Sequence, residues 1–217
     1  MRPASNLPTR FLRFFFYLIY QPLAWSYDFV AWVVSLGQWK AWILSTLPWL
    51  TGPRILELGH GTGHLQLALH QKGSLCFGLD QSRQMGILAY RRLGDAGSPG
   101  NLSRGVAQHL PFPAASFDQV VSTFPSEYIV QDETLSEIQR VLRPNGRLVV
   151  LPAAWIRSQR PLDRLAAWLF RMTGQAESWG ALFNDKFHVA GFLVEEERIS
   201  LPGSELVVLI AAKVPDC

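Results

Sequence analysis

Residues 55–65 read ILELGHGTGHL. Ile55, Leu56 and Leu58 read as the end of a buried strand, and Leu65, Leu67, Ala68 and Leu69 as the helix that follows. Between them Gly59, Gly61 and Gly63 leave the turn without side chains at alternate positions. Glycine is required where the backbone takes a positive φ or where a ligand must approach the main chain closely. Such a turn also leaves the first N–H groups of the helix facing the space above the strand. The segment reads as a turn built to hold a ligand, the alternative being a tight strand-to-helix connection that holds none.

Spacing narrows the ligand. The dinucleotide fingerprint is G-x-G-x-x-G with an acidic residue about 20 positions on. Here His64 stands where the third glycine would fall, and the pattern is E-x-G-x-G-x-G with Glu57 two residues ahead. Further along, FGLDQS (77–82) ends a second apolar strand, Leu75, Cys76 and Phe77, in Asp80. Nucleoside-binding Rossmann-like folds place a ribose-binding acid at this point. Asp80 or Ser82 also reads as the cap of a helix starting near Arg83. Next come GVAQHLPFPAASFDQVVSTFP (105–125), with a fourth strand from Phe117 to Ser122, and EIQRVLRPNGRLVV (137–150), a helix, a Pro-Asn-Gly turn and a fifth strand. Finally AGFLVEEERISLPGSELVVLIAAK (190–213) reads as two strands joined at Leu201-Pro202-Gly203-Ser204.

These five segments, in this order, resemble the class I S-adenosylmethionine-dependent methyltransferases, and are similar to the small-molecule and quinone-biosynthesis types. The resemblance implies an α/β, Rossmann-like three-layer sandwich: seven strands, mostly parallel, with an antiparallel last strand at about 205–213. It implies S-adenosyl-L-methionine as cofactor, lying over Gly59–Gly63 with its ribose on Asp80 and its adenine beside Ala107 and Gln108. The cofactor set carried over is Tyr27, Glu57, Gly59, His60, Gly61, Gly63, Asp80, Gln81, Ala107, Gln108, Thr123 and Phe124. One position departs. Many members carry an aspartate between the glycine and alanine of G-x-A, where it accepts from the adenine amino group, and here that residue is Val106. The interaction is therefore absent, or made by Gln108 or a main-chain carbonyl; an amide accepts the same hydrogen bond less strongly than a carboxylate.

At 217 residues, 48% hydrophobic and 17% charged, the chain is one ordinary domain with an extra segment rather than a disordered protein. Its net charge of +3 matches the excess of Arg2, Arg10, Arg13 and Lys40 over Asp28 in residues 1–50. The remainder is balanced, which argues against a nucleic-acid surface. The expected organisation is a helical, aromatic-rich segment over 1–50 and a methyltransferase domain over 51–217. Cys76 and Cys217 give no disulfide framework, so a reducing, cytoplasmic compartment is expected.

Within residues 11–36, FLRFFFYLIYQPLAWSYDFVAWVVSL, the stretch 14–36 has the length of a membrane span, but Gln21-Pro22 and Asp28 interrupt it. Arg13 breaks the apolar region of a signal peptide, and no clear cleavage site follows. A basic aromatic helix at about 8–20 and a second helix started by Pro22 fit better. Two readings stand for Phe11, Phe14, Phe15, Phe16, Tyr17 and Tyr20: packing on the domain, or insertion into a membrane surface with Arg10 and Arg13 at anionic headgroups. The second would place the protein at the inner face of a membrane through residues 8–36. LAWSYD (23–28) partly matches an A-x-x-Y-D segment of the quinone-type enzymes whose tyrosine reaches over the cofactor. Asp28 reads equally as a solvent-facing helix residue.

Residues 155–187 stand where this fold builds its acceptor pocket. Leu162, Leu165, Ala166, Leu169 and Phe170 recur at helical spacing, as a lid or as an ordinary amphipathic helix, and Trp155, Trp168 and Trp179 favour a hydrophobic acceptor. Glu127, Tyr128 and His188 are candidate bases, none of them singled out. No His, Cys or carboxylate group has metal-ligand spacing. The leading expectation is methyl transfer to a small lipid or quinone-like acceptor. A non-catalytic methyltransferase-like module bound to a membrane or partner comes second, and a nicotinamide-dependent oxidoreductase, disfavoured by the glycine spacing, third.

Overall fold

The computed structural model describes residues 27–98, 100–157 and 179–214. The expected helix at 8–20, the start of the second helix and the amphipathic stretch at 162–171 lie outside them. Among the described residues the strands are β1 Arg54–Leu58, β2 Leu75–Asp80, β3 Leu102–Arg104, β4 Phe117–Thr123, β5 Leu142–Ile156, β6 Phe192–Leu201 and β7 Ser204–Lys213. The helices are α1 Tyr27–Val34, α2 Trp39–Leu44, α3 His64–Gln71, α4 Arg83–Asp95, α5 Asp132–Val141 and α6 Trp179–Val189.

The strands form one seven-stranded sheet in the order β3-β2-β1-β4-β5-β7-β6. The pairs β1–β2, β1–β4, β2–β3 and β4–β5 are parallel, and β7 runs antiparallel to both β5 and β6. The expected hairpin is present and slightly longer than its hydrophobic pattern suggested. From β1 the chain moves outward to β2 and β3, then crosses back to β4 on the other side of β1. That reversal opens a crevice at the carboxyl ends of β1 and β4, where open α/β sheets bind ligands.

Both faces of the sheet are covered, which is why its strands are nearly continuous hydrophobic runs. Alternation along β1 sends Leu56 and Leu58 to one core with Leu135, Ile138 and Val141 of α5 and Phe183 and Phe187 of α6. Ile55 goes to the other core with Trp42, Ile43, Leu65 and Leu69. Trp42 and Leu50 are fully buried, so residues 39–50 pack into the sheet's own second core. The Trp42 indole N–H donates to Ser204 Oγ at 2.8 Å, and that hydroxyl donates to Gln38 Oε1 at 2.8 Å. A buried indole needs such a partner, and the pair fixes α2 against the start of β7.

The Pro-Asn-Gly turn lies inside β5, not ahead of it. Phe117 pairs with Leu142 and Gln119 with Arg147, so Arg143 to Gly146 stand opposite Asp118 alone. Arg143 closes the bulge with an Nη1–Asp118 Oδ1 contact of 2.6 Å. At the outer edge β6 exposes Glu195, Glu196, Glu197 and Arg198 in succession.

All three glycines of the first turn are left-handed, at φ 73° (Gly59), 52° (Gly61) and 82° (Gly63). A Cβ on Gly63 would stand 2.9 Å from the Ala89 Cβ of α4, while one on Gly61 would meet nothing within 4 Å. Gly63 thus serves close packing of α3 against α4, and Gly61 bares the main chain to open space. Gly63→Ala is expected to destabilise the fold by about 2–4 kcal/mol, from left-handed strain of roughly 1–2 kcal/mol plus overpacking. Gly86→Ala in α4, where nothing lies within 4 Å, should instead stabilise it by about 0.5–1 kcal/mol. Urea unfolding of the two variants checks the contrast.

Candidate functional site

The glycine turn is held from β2. Asp80 Oδ2 accepts the Gly61 N–H at 2.9 Å, and Oδ1 accepts the Ser82 N–H at 2.8 Å. The cap of α4 is Ser82, whose Oγ accepts from the Met85 N–H at 3.3 Å. Of the sequence readings of this pair the structure shows the cap, at Ser82, while the Asp80 carboxylate ties the turn to the end of β2. An ionised carboxylate has about four acceptor sites, so two remain for a ligand.

Beneath the turn lies a buried polar group. Glu57 follows Ile55 on the face of β1 that α3 covers, and Gln66 of α3 donates to its Oε2 at 2.8 Å and to the Phe77 carbonyl at 3.1 Å. Burial, with a smaller push from Asp80 against the Gln66 hydrogen bond, raises the Glu57 pKa to about 8. The carboxyl is thus neutral at pH 7. The His60 ring is also buried and packs over Gly78, where a Cβ would stand 2.9 Å from its Cδ2. Its Nδ1 lies 2.9 Å from the Gly61 carbonyl, and since a carbonyl only accepts, Nδ1 carries the proton. Burial lowers the His60 pKa, with Asp80 opposing, which keeps the ring neutral. His60 therefore braces the turn from below with its side chain.

The wall toward β4 comes from Tyr128, in the 3₁₀ turn Glu127–Val130. Its hydroxyl donates to the Leu58 carbonyl at 3.2 Å and lies 2.8 Å from Ser122 Oγ, which donates to the same carbonyl at 2.8 Å. A Cβ on Gly59 would stand 3.1 Å from that hydroxyl. Of the candidate bases, Tyr128 is at the crevice, whereas Glu127 and His188 are exposed. Thr123 ends β4 opposite Leu151. Phe124 follows at φ 49°, a strained value for a bulky residue. Its ring is buried and stacked on Trp39 with centroids 4.5 Å apart, so the strained residue is also a core anchor.

The loop after β3 starts beside Asp80, whose carbonyl accepts the Gly105 N–H at 3.1 Å. Ala107 is buried, and Gln108 donates its Nε2 to Gln131 Oε1 at 2.5 Å, leaving its own carbonyl as an acceptor. The loop is latched to α5. Glu137 Oε2 accepts the Leu110 N–H at 2.6 Å, and Arg140 donates to the carbonyls of Phe112 at 2.7 Å and Leu110 at 3.0 Å. The Arg140 hydrogen bonds hold the Glu137 carboxyl below its usual pKa. Gln81 is exposed and its carbonyl accepts from Arg104 Nε at 3.1 Å.

Sequence reasoning missed three residues that meet at the turn's other flank. Thr62 Oγ1 donates to Asp28 Oδ1 at 2.7 Å, Arg92 Nη2 lies 2.6 Å from Asp28 Oδ2, and His64 Nε2 lies 3.4 Å from the same oxygen. Asp28 is therefore no free solvent-facing residue. Tyr27 opens α1 beside it. Thr62 was legible as part of the motif, but nothing in the spacing linked it to positions 28 and 92. Among the described residues no group of three or more His, Cys, Asp or Glu gathers as a metal site.

Glu57 yields a pH signature. Its ordinary value is 4.5 and its folded value about 8, so the folded pKa lies above the unfolded one. Its contribution to stability is full below pH 4.5 and is lost as pH rises toward 8. Asp28, whose pKa is held down, titrates below this window. Thermal unfolding of Glu57→Gln is expected to remove a decline that the parent shows across the window; parallel profiles would mean that Glu57 ionises freely in the fold.

Residues 56–150, from β1 through β5, match the family model described as a methyltransferase domain. The chain is 33% identical over 163 residues to the ubiquinone/menaquinone biosynthesis C-methyltransferase of Geobacter sulfurreducens, covering 70% of this chain and 62% of that protein. It is 30% identical over 189 residues to the demethylmenaquinone methyltransferase of Lactiplantibacillus plantarum, covering 83% of this chain and 78% of that one. Against several other curated relatives it spans about three fifths of their length, 58% in one case. An S-adenosylmethionine-dependent methyltransferase of Thermotoga maritima superposes with a TM-score of 0.63 at 19% identity, covering 90% of this chain and 98% of that one. Geranyl diphosphate C-methyltransferase of Streptomyces coelicolor does so at 0.61 and 15%, over 80% and 79%. These two likenesses concern the fold. The family-model match, which spans the E-x-G-x-G-x-G turn and Asp80, and the likeness to the curated relatives place the chain in the class I S-adenosylmethionine-dependent methyltransferase family, among the quinone-biosynthesis type.

Proposed function

We propose that this chain binds S-adenosylmethionine over Gly59–Gly63 and passes its methyl group to a small hydrophobic acceptor of the lipid or quinone-like class. The observation that carries this reading is the left-handed Gly59-Gly61-Gly63 turn with its Gly61 N–H on Asp80, at the crevice where β1 and β4 part. The residues fit the group. Gly61 leaves its main chain open, Asp80 has acceptor capacity beyond its two backbone donors, and Gln108, whose Nε2 is tied to Gln131, is an acceptor two residues from Val106. When bound, the cofactor supplies an activated methyl group for in-line displacement. The chain's own work is alignment and removal of water: Asp80 orients the ribose, the latched 105–112 loop covers the base, and Tyr128 shapes the wall beside Gly59. Support for a quinone-like acceptor comes from the relatives, whose names carry ubiquinone and menaquinone methylation.

A membrane surface is the proposed route to such an acceptor. Trp32, Val33 and Leu36 are exposed at the end of α1 and continue the apolar run of residues 11–36. No described helix is long and apolar enough to cross a bilayer. The proposed contact is peripheral, through residues 8–36, because Gln21-Pro22 and Asp28 interrupt a span, with aromatic insertion outweighing charge because each Lys or Arg adds only about 1 kcal/mol.

Calorimetry should detect binding of S-adenosylmethionine and not of NAD. Asp80→Ala is expected to weaken it roughly ten- to a hundredfold, since a hydrogen bond to a charged group is worth about 1.5–3 kcal/mol. Unchanged affinity in a folded variant would remove Asp80 from the site. In vesicle co-sedimentation the full chain should pellet with anionic lipid and resist salt, whereas a chain starting at residue 21 should stay in the supernatant. If both stay in the supernatant, the membrane proposal fails and a soluble acceptor is favoured.

A further inference from the structure

We propose that Asp28 is a positioning residue for the cofactor turn: from α1 it fixes Thr62, His64 and Arg92, and so couples docking of α1 to ligand binding. The proposal rests on the reading that the turn holds S-adenosylmethionine.

Asp28 lies outside the segment matched by the family model, which starts at residue 56. Even so, its carboxylate takes three donors from three parts of the nucleotide half of the sheet. Thr62 in the turn donates to Oδ1 at 2.7 Å. Arg92, in the last turn of α4, reaches Oδ2 at 2.6 Å, and His64, the first residue of α3, lies 3.4 Å away. Arg92 also donates from Nη1 to the Thr62 carbonyl. Thr62 is thereby gripped at both its hydroxyl and its carbonyl, and it is buried.

The grip matters because of what flanks Thr62. Gly61 and Gly63 both sit at positive φ, a region glycine enters and leaves at little cost. Left to itself, Gly61-Thr62-Gly63 would sample many conformations, and a ligand would have to select one of them. An external clamp on the middle residue removes that freedom before the ligand arrives, which is how preorganisation raises affinity. Asp80 secures the Gly61 N–H from one side, and Asp28 secures Thr62 from the other. Burial raises the Asp28 pKa, but the hydrogen bonds from His64, Thr62 and Arg92 more than reverse that and hold it well below the ordinary carboxylate range, so the clamp is charged at neutral pH.

A staple that only stabilised the fold would lower the unfolding temperature and leave ligand affinity alone. Coupling has a further consequence, because it is reciprocal: what α1 does for the ligand, the ligand does for α1. The test is calorimetry with S-adenosylhomocysteine on the full chain, its Asp28→Ala and Thr62→Val variants and the double variant, with amide hydrogen exchange of residues 27–34 with and without ligand. Asp28→Ala is expected to weaken binding about 5- to 150-fold. The two losses should be non-additive, since both remove the same contact. Ligand should slow exchange in α1 of the parent and fail to do so in Asp28→Ala. If Asp28→Ala does not fold, Thr62→Val carries the same expectation for affinity and exchange. A parent that binds while folded variants bind equally well, or an α1 whose exchange ignores ligand, overturns the clamp alone. A parent that does not bind S-adenosylhomocysteine overturns the reading of the turn and the clamp with it.

Discussion

The hydrogen bond from the Gly61 N–H to Asp80 Oδ2 joins the end of β2 to the turn that leaves β1. The three left-handed glycines of that turn have no side chains to fix their own backbone, and a charged acceptor on a neighbouring strand fixes the middle one. Everything around the crevice then takes its place relative to that contact. The second oxygen of Asp80 sets the first turn of α4 through Ser82, its carbonyl starts the 105–112 loop, and α3 leaves Gly63 close against α4. Parallel pairing of β1 with both β2 and β4 brings these pieces to one end of the sheet.

The contrast between Asp80 and Glu57 shows how burial assigns different work to two carboxylates in neighbouring strands. Asp80 accepts two backbone N–H groups and is half-buried, whereas Glu57 is buried with Gln66 as its hydrogen-bond partner and keeps its proton. A neutral acid at this depth costs far less to bury than an anion. Perturbed acids of this sort are common where a site is built, because the low dielectric that shifts them also strengthens the remaining electrostatic contacts.

Much of this was legible in the chain because it rests on local spacing. The E-x-G-x-G-x-G run, Asp80 at the end of an apolar strand and the closing hairpin each follow from residues close in sequence, and apart from the short β3 and the early start of β5 the strands stand close to where apolar runs and turn residues put them. What sequence could not supply were contacts set by tertiary register. Asp28 meets Arg92 across 64 positions, and Tyr128 meets the Leu58 carbonyl across 70. The His60 ring folds beneath the turn because Gly78 on β2 leaves it room. The Phe124 ring is held in the core by Trp39. In each case the deciding partner belongs to a different strand or helix.

The two margins of the sheet differ in a way that bears on crowding. An unpaired strand edge offers a row of free N–H and C=O groups to any other chain. At one margin β3 is only three residues long, too short to template an added strand. At the other β6 is ten residues long and would serve well, but its exposed run Glu195, Glu196, Glu197 and Arg198 sets three like charges in succession along it. An identical copy approaching that edge would bring its own glutamates against these. The run thus acts against self-polymerisation, a hazard that grows wherever many copies gather on one surface.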